Sequence, residues 1–163
     1  MQVLIMRHGH AVSKNSDDIV RPLSNIGRNE SRKMARWLHT QSANIERVLV
    51  SPYLRTKQTL HIVQAYLTLP NDHEVLIELT PNGNCKIVSC YLWTLANQGV
   101  NQVLLISHLP LVAHLVQDLC SGEQAPIFNT STITRVDLDV MNGNGKLCWT
   151  VAPSQLLRKL GEY

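Results

Sequence analysis

The chain has 163 residues, 44% of them hydrophobic and 17% charged, and a formal net charge of +3. That length suits a single domain able to bury its core without disulfides or metal, and no apolar run approaches the roughly 18 residues of a membrane span. The positive charge is mild and scattered, unlike that of a nucleic-acid binder, and Met1 to Met6 lacks the basic and apolar stretches of a secretion signal, so a cytoplasmic protein is expected.

Gln2 to Met6 reads as a short buried strand, followed by a polar loop over residues 9 to 23 that holds Asn15, Asp17, Asp18, Arg21 and Pro22. Ser24 is placed to cap a helix running to about Thr40, with Met34, Trp37 and Leu38 at helical spacing on its buried side. Arg47 to Val50 forms the second strand. A helix is expected from Pro52, with Ser51 as its cap and Leu60, Val63 and Leu67 on one face. Glu74 to Ile77 reads as a third strand, and a helix from about Asn84 to Asn97 turns Ile87, Val88, Tyr91, Leu92 and Leu95 inward before stopping at Gly99.

The fourth strand is Gln102 to Ile106, and Leu109 to Cys120 continues as helix as far as Gly122. Thr132 to Val140 and Lys146 to Val151 flank Asn142-Gly143-Asn144-Gly145, a hairpin signal. The alternation predicts an α/β fold, a three-layer α/β/α sandwich whose sheet is mostly parallel with an antiparallel contribution near the end. Cys85, Cys90, Cys120 and Cys148 form no Cys-x-x-Cys pair and read as reduced core thiols.

Three strands end in groups that carry chemistry. The first runs into Arg7-His8-Gly9, the second into Ser51-Pro52 and then Arg55, the fourth into Ser107-His108. In an open α/β sheet the ligand lies at the C-terminal ends of the strands, so two arginines and two histidines gather at one edge. Arg7 and Arg55 offer planar forks of donors that match phosphoryl oxygens, and the start of the helix near Pro52 adds partial positive charge. Nearby guanidinium charge keeps His8 neutral, which leaves one ring nitrogen free to attack phosphorus and later release the phosphoryl group to water. His108 is expected to be protonated and to donate to a non-bridging oxygen, and Arg21 to close over the group as a third cation.

These segments, together with Tyr53-Leu54-Arg55-Thr56-Lys57-Gln58-Thr59, resemble the histidine phosphatase superfamily, which has the phosphoglycerate mutase-like fold, over essentially the whole chain. Arg21-Pro22-Leu23-Ser24-x-x-Gly27 and Glu78-Leu79-Thr80-Pro81-x-Gly83 are most similar to the SixA-type phosphohistidine phosphatases within it. The resemblance implies His8 as the phosphorylated nucleophile, Arg7, Arg55 and His108 as the phosphate pocket, and Arg21, Gly9 and Ser51 as further substrate contacts. It implies a monomeric, cofactor-free and metal-independent enzyme of two-component signalling. Its partner is then a phosphohistidine-bearing protein, such as the phosphotransfer domain of a sensor kinase or a phosphocarrier. Many relatives in the superfamily carry an insertion over the pocket, whereas here the third strand passes to a helix within a few residues and leaves little material for a lid.

Position 10, commonly acidic in sequences of this kind, is His10, so the proton donor is open among His10, Asp17, Asp18 and Glu78. Phosphohistidine makes a modest demand there, because its leaving imidazole protonates readily near neutral pH. Three other readings remain: a phosphatase of a small phosphate ester or sugar phosphate, a non-catalytic phosphate-recognition module, and a metallohydrolase using His8-Gly-His10 as a metal pair. The other histidines, His39, His61, His73 and His114, read as ordinary surface or core residues.

Overall fold

The structure is a computed structural model that describes residues 1–13 and 17–156. Six strands, β1 (Gln2–Arg7), β2 (Arg47–Val50), β3 (Glu74–Val75), β4 (Gln102–Ser107), β5 (Ile133–Asp139) and β6 (Asn144–Val151), form one sheet in the order β3-β2-β4-β1-β5-β6. The first four in that order run parallel, and β5 and β6 are antiparallel to their neighbours. Helices α1 (Asn25–Thr40), α2 (Leu54–Gln64) and the short α5 (Pro153–Leu156) cover one face, and α3 (Cys85–Asn97) and α4 (Leu111–Leu119) cover the other.

Successive strand residues point to opposite faces, so a strand buried on both sides reads as an unbroken apolar run. Val3 and Ile5 face α3 and α4 with Val103 and Leu105, while Leu4 and Met6 face α1 and α2 with Leu104 and Ile106. All eight are essentially inaccessible to solvent. This double layer of core holds the ends of β1, β2 and β4 rigidly side by side.

The elements depart from the expected ones where tertiary contacts override local signals. The third strand is only Glu74–Val75, because the chain then turns through a 3-10 segment, Ile77–Leu79, that drives the fully buried Leu79 into the core beneath α3. Ser107 Oγ donates to Leu79 O at 2.7 Å and pins that turn. Helix α2 begins at Leu54 rather than Pro52 and Ser51 does not cap it; Thr56 Oγ1 instead braces the preceding bend by donating to Ser51 O (2.9 Å) and Tyr53 O (2.6 Å). Ile87 is exposed, since the buried stripe of α3 runs through Val88, Leu92 and Leu95 and leaves it on the flank.

The final helix of the sheet's parallel half, α4, starts at Leu111, after Pro110. The last hairpin turns at residues 140–143, two residues before the Asn-Gly pairs end, because the Asp139 carboxylate accepts the backbone N–H groups of Met141 and Asn142. Of the four cysteines, all free thiols, only Cys120 is buried; Cys90 and Cys148 are exposed, so they are not core thiols. The polar loop contains a 3-10 turn, Asp18–Val20, and a bridge between Ala11 and Leu23; Asn15 lies outside the described residues. Among the described residues no helix is long and apolar enough to cross a membrane.

Candidate active site

The register of the parallel strands assembles the site. Arg7 pairs with Ser107 across β1 and β4, so the next residue of each strand, His8 and His108, emerges beside the other. Their ring centroids are 5.0 Å apart. Val50 pairs with Ile106, which brings Ser51 alongside the same edge, and one residue into α2 Arg55 reaches back over His8. A cleft of about 420 Å³ lies there, lined by Arg7, His8, His10, Asp18, Arg21, Arg55 and His108, with Ala11, Pro81, Leu109 and Thr130 at its sides.

His8 is buried, and its Nδ1 lies 2.7 Å from Gly9 O. A carbonyl only accepts, so Nδ1 carries the proton and Nε2 presents a lone pair, which receives Arg55 Nε–H at 3.2 Å. Burial, together with the charges of Arg55, Arg7 and Arg21, lowers the His8 pKa to about 3 despite the Gly9 hydrogen bond. The imidazole is neutral throughout the physiological range.

His108 is 1% exposed, and its Nε2 lies 2.7 Å from Ser51 Oγ. Burial first, then His8 and the three arginines, push its pKa down to about 2. The expectation of a protonated His108 is therefore corrected: in the free protein a fourth cation would sit desolvated among three guanidinium groups, and the ring stays neutral.

Arg7 is anchored by Nη1 donating to Phe128 O at 2.7 Å. Arg55 donates from Nη1 to Asp18 O (2.7 Å) and from Nη2 to Asp18 Oδ2 (3.1 Å), and Arg21 Nη2 meets the other oxygen of the same carboxylate at 2.9 Å. Burial lowers the Arg55 guanidinium pKa, and Asp18 offsets part of that. Partial burial pushes the Asp18 carboxyl up, but Arg55 and Arg21 outweigh it and hold the group below its usual value. Asp18 is thus an anion tying two arginines together, which makes it a poor proton donor.

Gly9 and Ser51 occupy the second layer of the site rather than its lining. Gly9 N donates to Thr59 Oγ1 at 3.2 Å, and a Cβ on Gly9 would come within 2.6 Å of Gly27 O, so its place is the close crossing of the loop over α1. Ser51 is fully buried behind His108. Among the proposed donors, Asp17 is spent capping the 3-10 turn through Ile19 N, and neither it nor Glu78 lines the cleft. His10 does line it, exposed, with Nδ1 at 2.8 Å from Ser24 Oγ. His39, His61, His73 and His114 are all exposed and away from the cleft. The His8–Gly–His10 pair does not converge with further ligands: among the described residues no three His, Cys, Asp or Glu side chains stand close enough to hold a metal ion.

Sequence reasoning missed the supporting contacts. Gln58 Oε1 accepts Leu23 N–H at 2.7 Å and so fastens the end of the Arg21 loop to α2, and Glu30 Oε2 accepts His10 N–H at 3.2 Å. Gln58 and Thr59 follow Arg55 by one helical turn, a spacing that places them over the same loop.

Of the buried side-chain polar atoms without a partner among the described residues, three lie on side chains of the cleft: Arg7 Nε, Arg21 Nε and His108 Nδ1. Buried polar groups are rarely left so, and all three side chains line this one cleft. Such a surplus of donors around a neutral imidazole lone pair suits an oxygen-rich anion.

A family model described as "Histidine phosphatase superfamily (branch 1)" matches residues 3–80. The chain is 54% identical over 156 residues, 96% of either chain, to "Phosphohistidine phosphatase SixA" of Escherichia coli (strain K12). It is 38% identical over 144 residues to "Phosphohistidine phosphatase SixA homolog" of Haemophilus influenzae, covering 83% of this chain and 87% of that one. A solved structure described as the protein histidine phosphatase SixA complexed with tungstate superposes with a TM-score of 0.93 at 54% identity, over 96% of this chain and 99% of the other. With its sheet order, its strand-end residues and these relatives in agreement, this chain belongs to the histidine phosphatase superfamily, in the SixA group.

Proposed function

We propose that the protein is a phosphatase that hydrolyses phosphohistidine carried on another protein, a phosphotransfer domain of a sensor kinase or a phosphocarrier, through a phospho-His8 intermediate. The observation that carries this is the set of unpartnered donors, Arg7 Nε, Arg21 Nε and His108 Nδ1, around the His8 Nε2 lone pair. The two SixA relatives, and the tungstate of the superposed structure, an oxyanion of the same shape and charge class as phosphate, support it.

In the first step His8 Nε2 attacks phosphorus, a new N–P bond forms, and the P–N bond to the substrate imidazole breaks with that nitrogen taking a proton. Arg7, Arg21, Arg55 and His108 donate to the non-bridging oxygens as charge builds on them. In the second step water attacks phospho-His8, inorganic phosphate leaves, and Nε2 regains its lone pair. The passage from β3 to α3 contributes only Pro81 to the lining, so the cleft stays open enough for a phosphorylated side chain standing on a folded partner.

The test is phosphate release from a histidine-phosphorylated phosphotransfer protein beside a generic aryl phosphate, with EDTA present and His8→Ala as control. Rapid loss from the phosphoprotein that depends on His8 and ignores EDTA is expected. Turnover of the aryl phosphate alone, or full activity in His8→Ala, overturns the substrate or the nucleophile respectively.

A further inference from the structure

The two buried histidines of the cleft, His8 and His108, are neutral, and a neutral imidazole has one N–H to place. Gly9 O settles the matter for His8. For His108 the neighbour is a hydroxyl, which can act either way: Ser51 Oγ lies 2.7 Å from His108 Nε2. The partners of the Ser51 hydroxyl decide the direction. Ser51 Oγ has one other partner among the described residues, Tyr53 N–H at 3.4 Å, and that is a donor. The hydroxyl hydrogen of this fully buried serine therefore has a single acceptor within reach, His108 Nε2. Were Nε2 to carry the proton instead, Ser51 would bury an orphan O–H, and His108 Nδ1 would keep a lone pair in a cleft built for an anion.

We propose that Ser51 is a positioning residue that donates its hydroxyl hydrogen to His108 Nε2 and thereby fixes His108 as the tautomer with its proton on Nδ1, the nitrogen left for a phosphoryl oxygen. The His108 role rests on the reading of the cleft as a phosphoryl site. His8 and His108 then form a complementary pair of opposite tautomers, one presenting a lone pair at Nε2 and the other a donor at Nδ1. No proton need be taken up at His108 for an anion to bind. The groups around its ring, His8, Tyr53, Arg7, Arg21 and Arg55, with the Asp18 carboxylate bridging the last two, supply the rest of the field.

The test is long-range proton–nitrogen NMR of the full chain with ¹⁵N-labelled histidine near neutral pH, His108 assigned by its absence from His108→Gln. The expected pattern is a protonated, pyrrole-type Nδ1 and an unprotonated, pyridine-type Nε2. A protonated Nε2, or both nitrogens protonated, overturns the proposal, and this result needs no variant at position 51. In folded Ser51→Ala the His108 tautomer should shift toward Nε2–H, and inorganic phosphate should inhibit about tenfold more weakly, the loss expected for one directed hydrogen bond. An unchanged tautomer in folded Ser51→Ala removes the role given to Ser51. If the spectrum is as expected but no phosphohistidine is hydrolysed, the functional reading fails while the tautomer assignment stands.

Discussion

Arg55 Nε donates to His8 Nε2 at 3.2 Å, so in the free protein an arginine occupies the lone pair assigned to attack on phosphorus. On the proposed mechanism, a phosphoryl group entering the cleft would offer Arg55 stronger acceptors than an imidazole nitrogen, and the exchange of partners would free His8 Nε2 in the act of binding. The guanidinium plane is already fixed for this by Asp18, which takes Nη1 and Nη2.

Arg55→Lys should therefore lose far more than a charge-conserving change suggests. An ammonium cannot serve Asp18, His8 and two phosphoryl oxygens together, and losing one or two charge-assisted hydrogen bonds is expected to lower kcat/KM about 100-fold. Steady-state kinetics with a phosphorylated phosphotransfer protein check this, and a loss below about threefold would show that Arg55 does not hold the transferring group.

His10→Ala is expected to reduce kcat/KM less than tenfold toward phosphohistidine, because the leaving imidazole accepts a proton from water near neutral pH. His10 lies exposed at the cleft and hydrogen-bonds Ser24. A fall of about 100-fold or more in kcat, as removal of a true general acid produces, would instead make His10 the donor.

Folding stability should decline as the pH falls below about 6.5. The folded-state pKa values of His8 and His108 are depressed to about 3 and about 2, so between these values and 6.5 the unfolded chain binds protons that the native state does not. The stability from keeping both rings neutral is complete above 6.5 and is lost progressively below it. A loss of about 1.4 kcal/mol per pH unit for each histidine is the upper scale. Urea denaturation at pH 7, 6, 5 and 4 measures it, and His108→Gln should flatten the slope; an identical slope in that variant would mean His108 titrates normally in the folded state.

Gly27→Ala tests how the loop is seated on α1. A Cβ at Gly27 would overlap the His10 backbone, 2.5 Å from its nitrogen, where only backbone stands in the way. Although alanine is the better helix former, the variant should be destabilised by about 2–3 kcal/mol in urea denaturation, with activity reduced because His8–Gly9–His10 shifts. A neutral or stabilising outcome would show that the loop is free to move off the helix.

Much of the candidate site could be read directly from the chain because parallel strands buried on both faces write an unbroken apolar run, and each such run here stops at residues that line or back the cleft: Arg7-His8, Ser51 and Ser107-His108. Other features were illegible for identifiable reasons. Ser51 before Pro52 carries the same local signature whether it caps a helix or faces a histidine across the sheet, and the pairing of Val50 with Ile106 decides for the latter. Glu74 to Ile77 has strand-like residues, but the burial of Leu79 ends the strand at Val75.

The amino-acid sequence alone thus determined the layered α/β architecture, the edge at which the chemistry gathers and the family resemblance, since these follow from periodicity and from motifs a few residues long. Only the tertiary structure decided the protonation of His108, the hydrogen-bond partner of Ser51 and the carboxylate bridge from Asp18 to Arg21 and Arg55. Those are properties of desolvation and of contacts between residues tens of positions apart, and such distances appear in no local pattern of the chain.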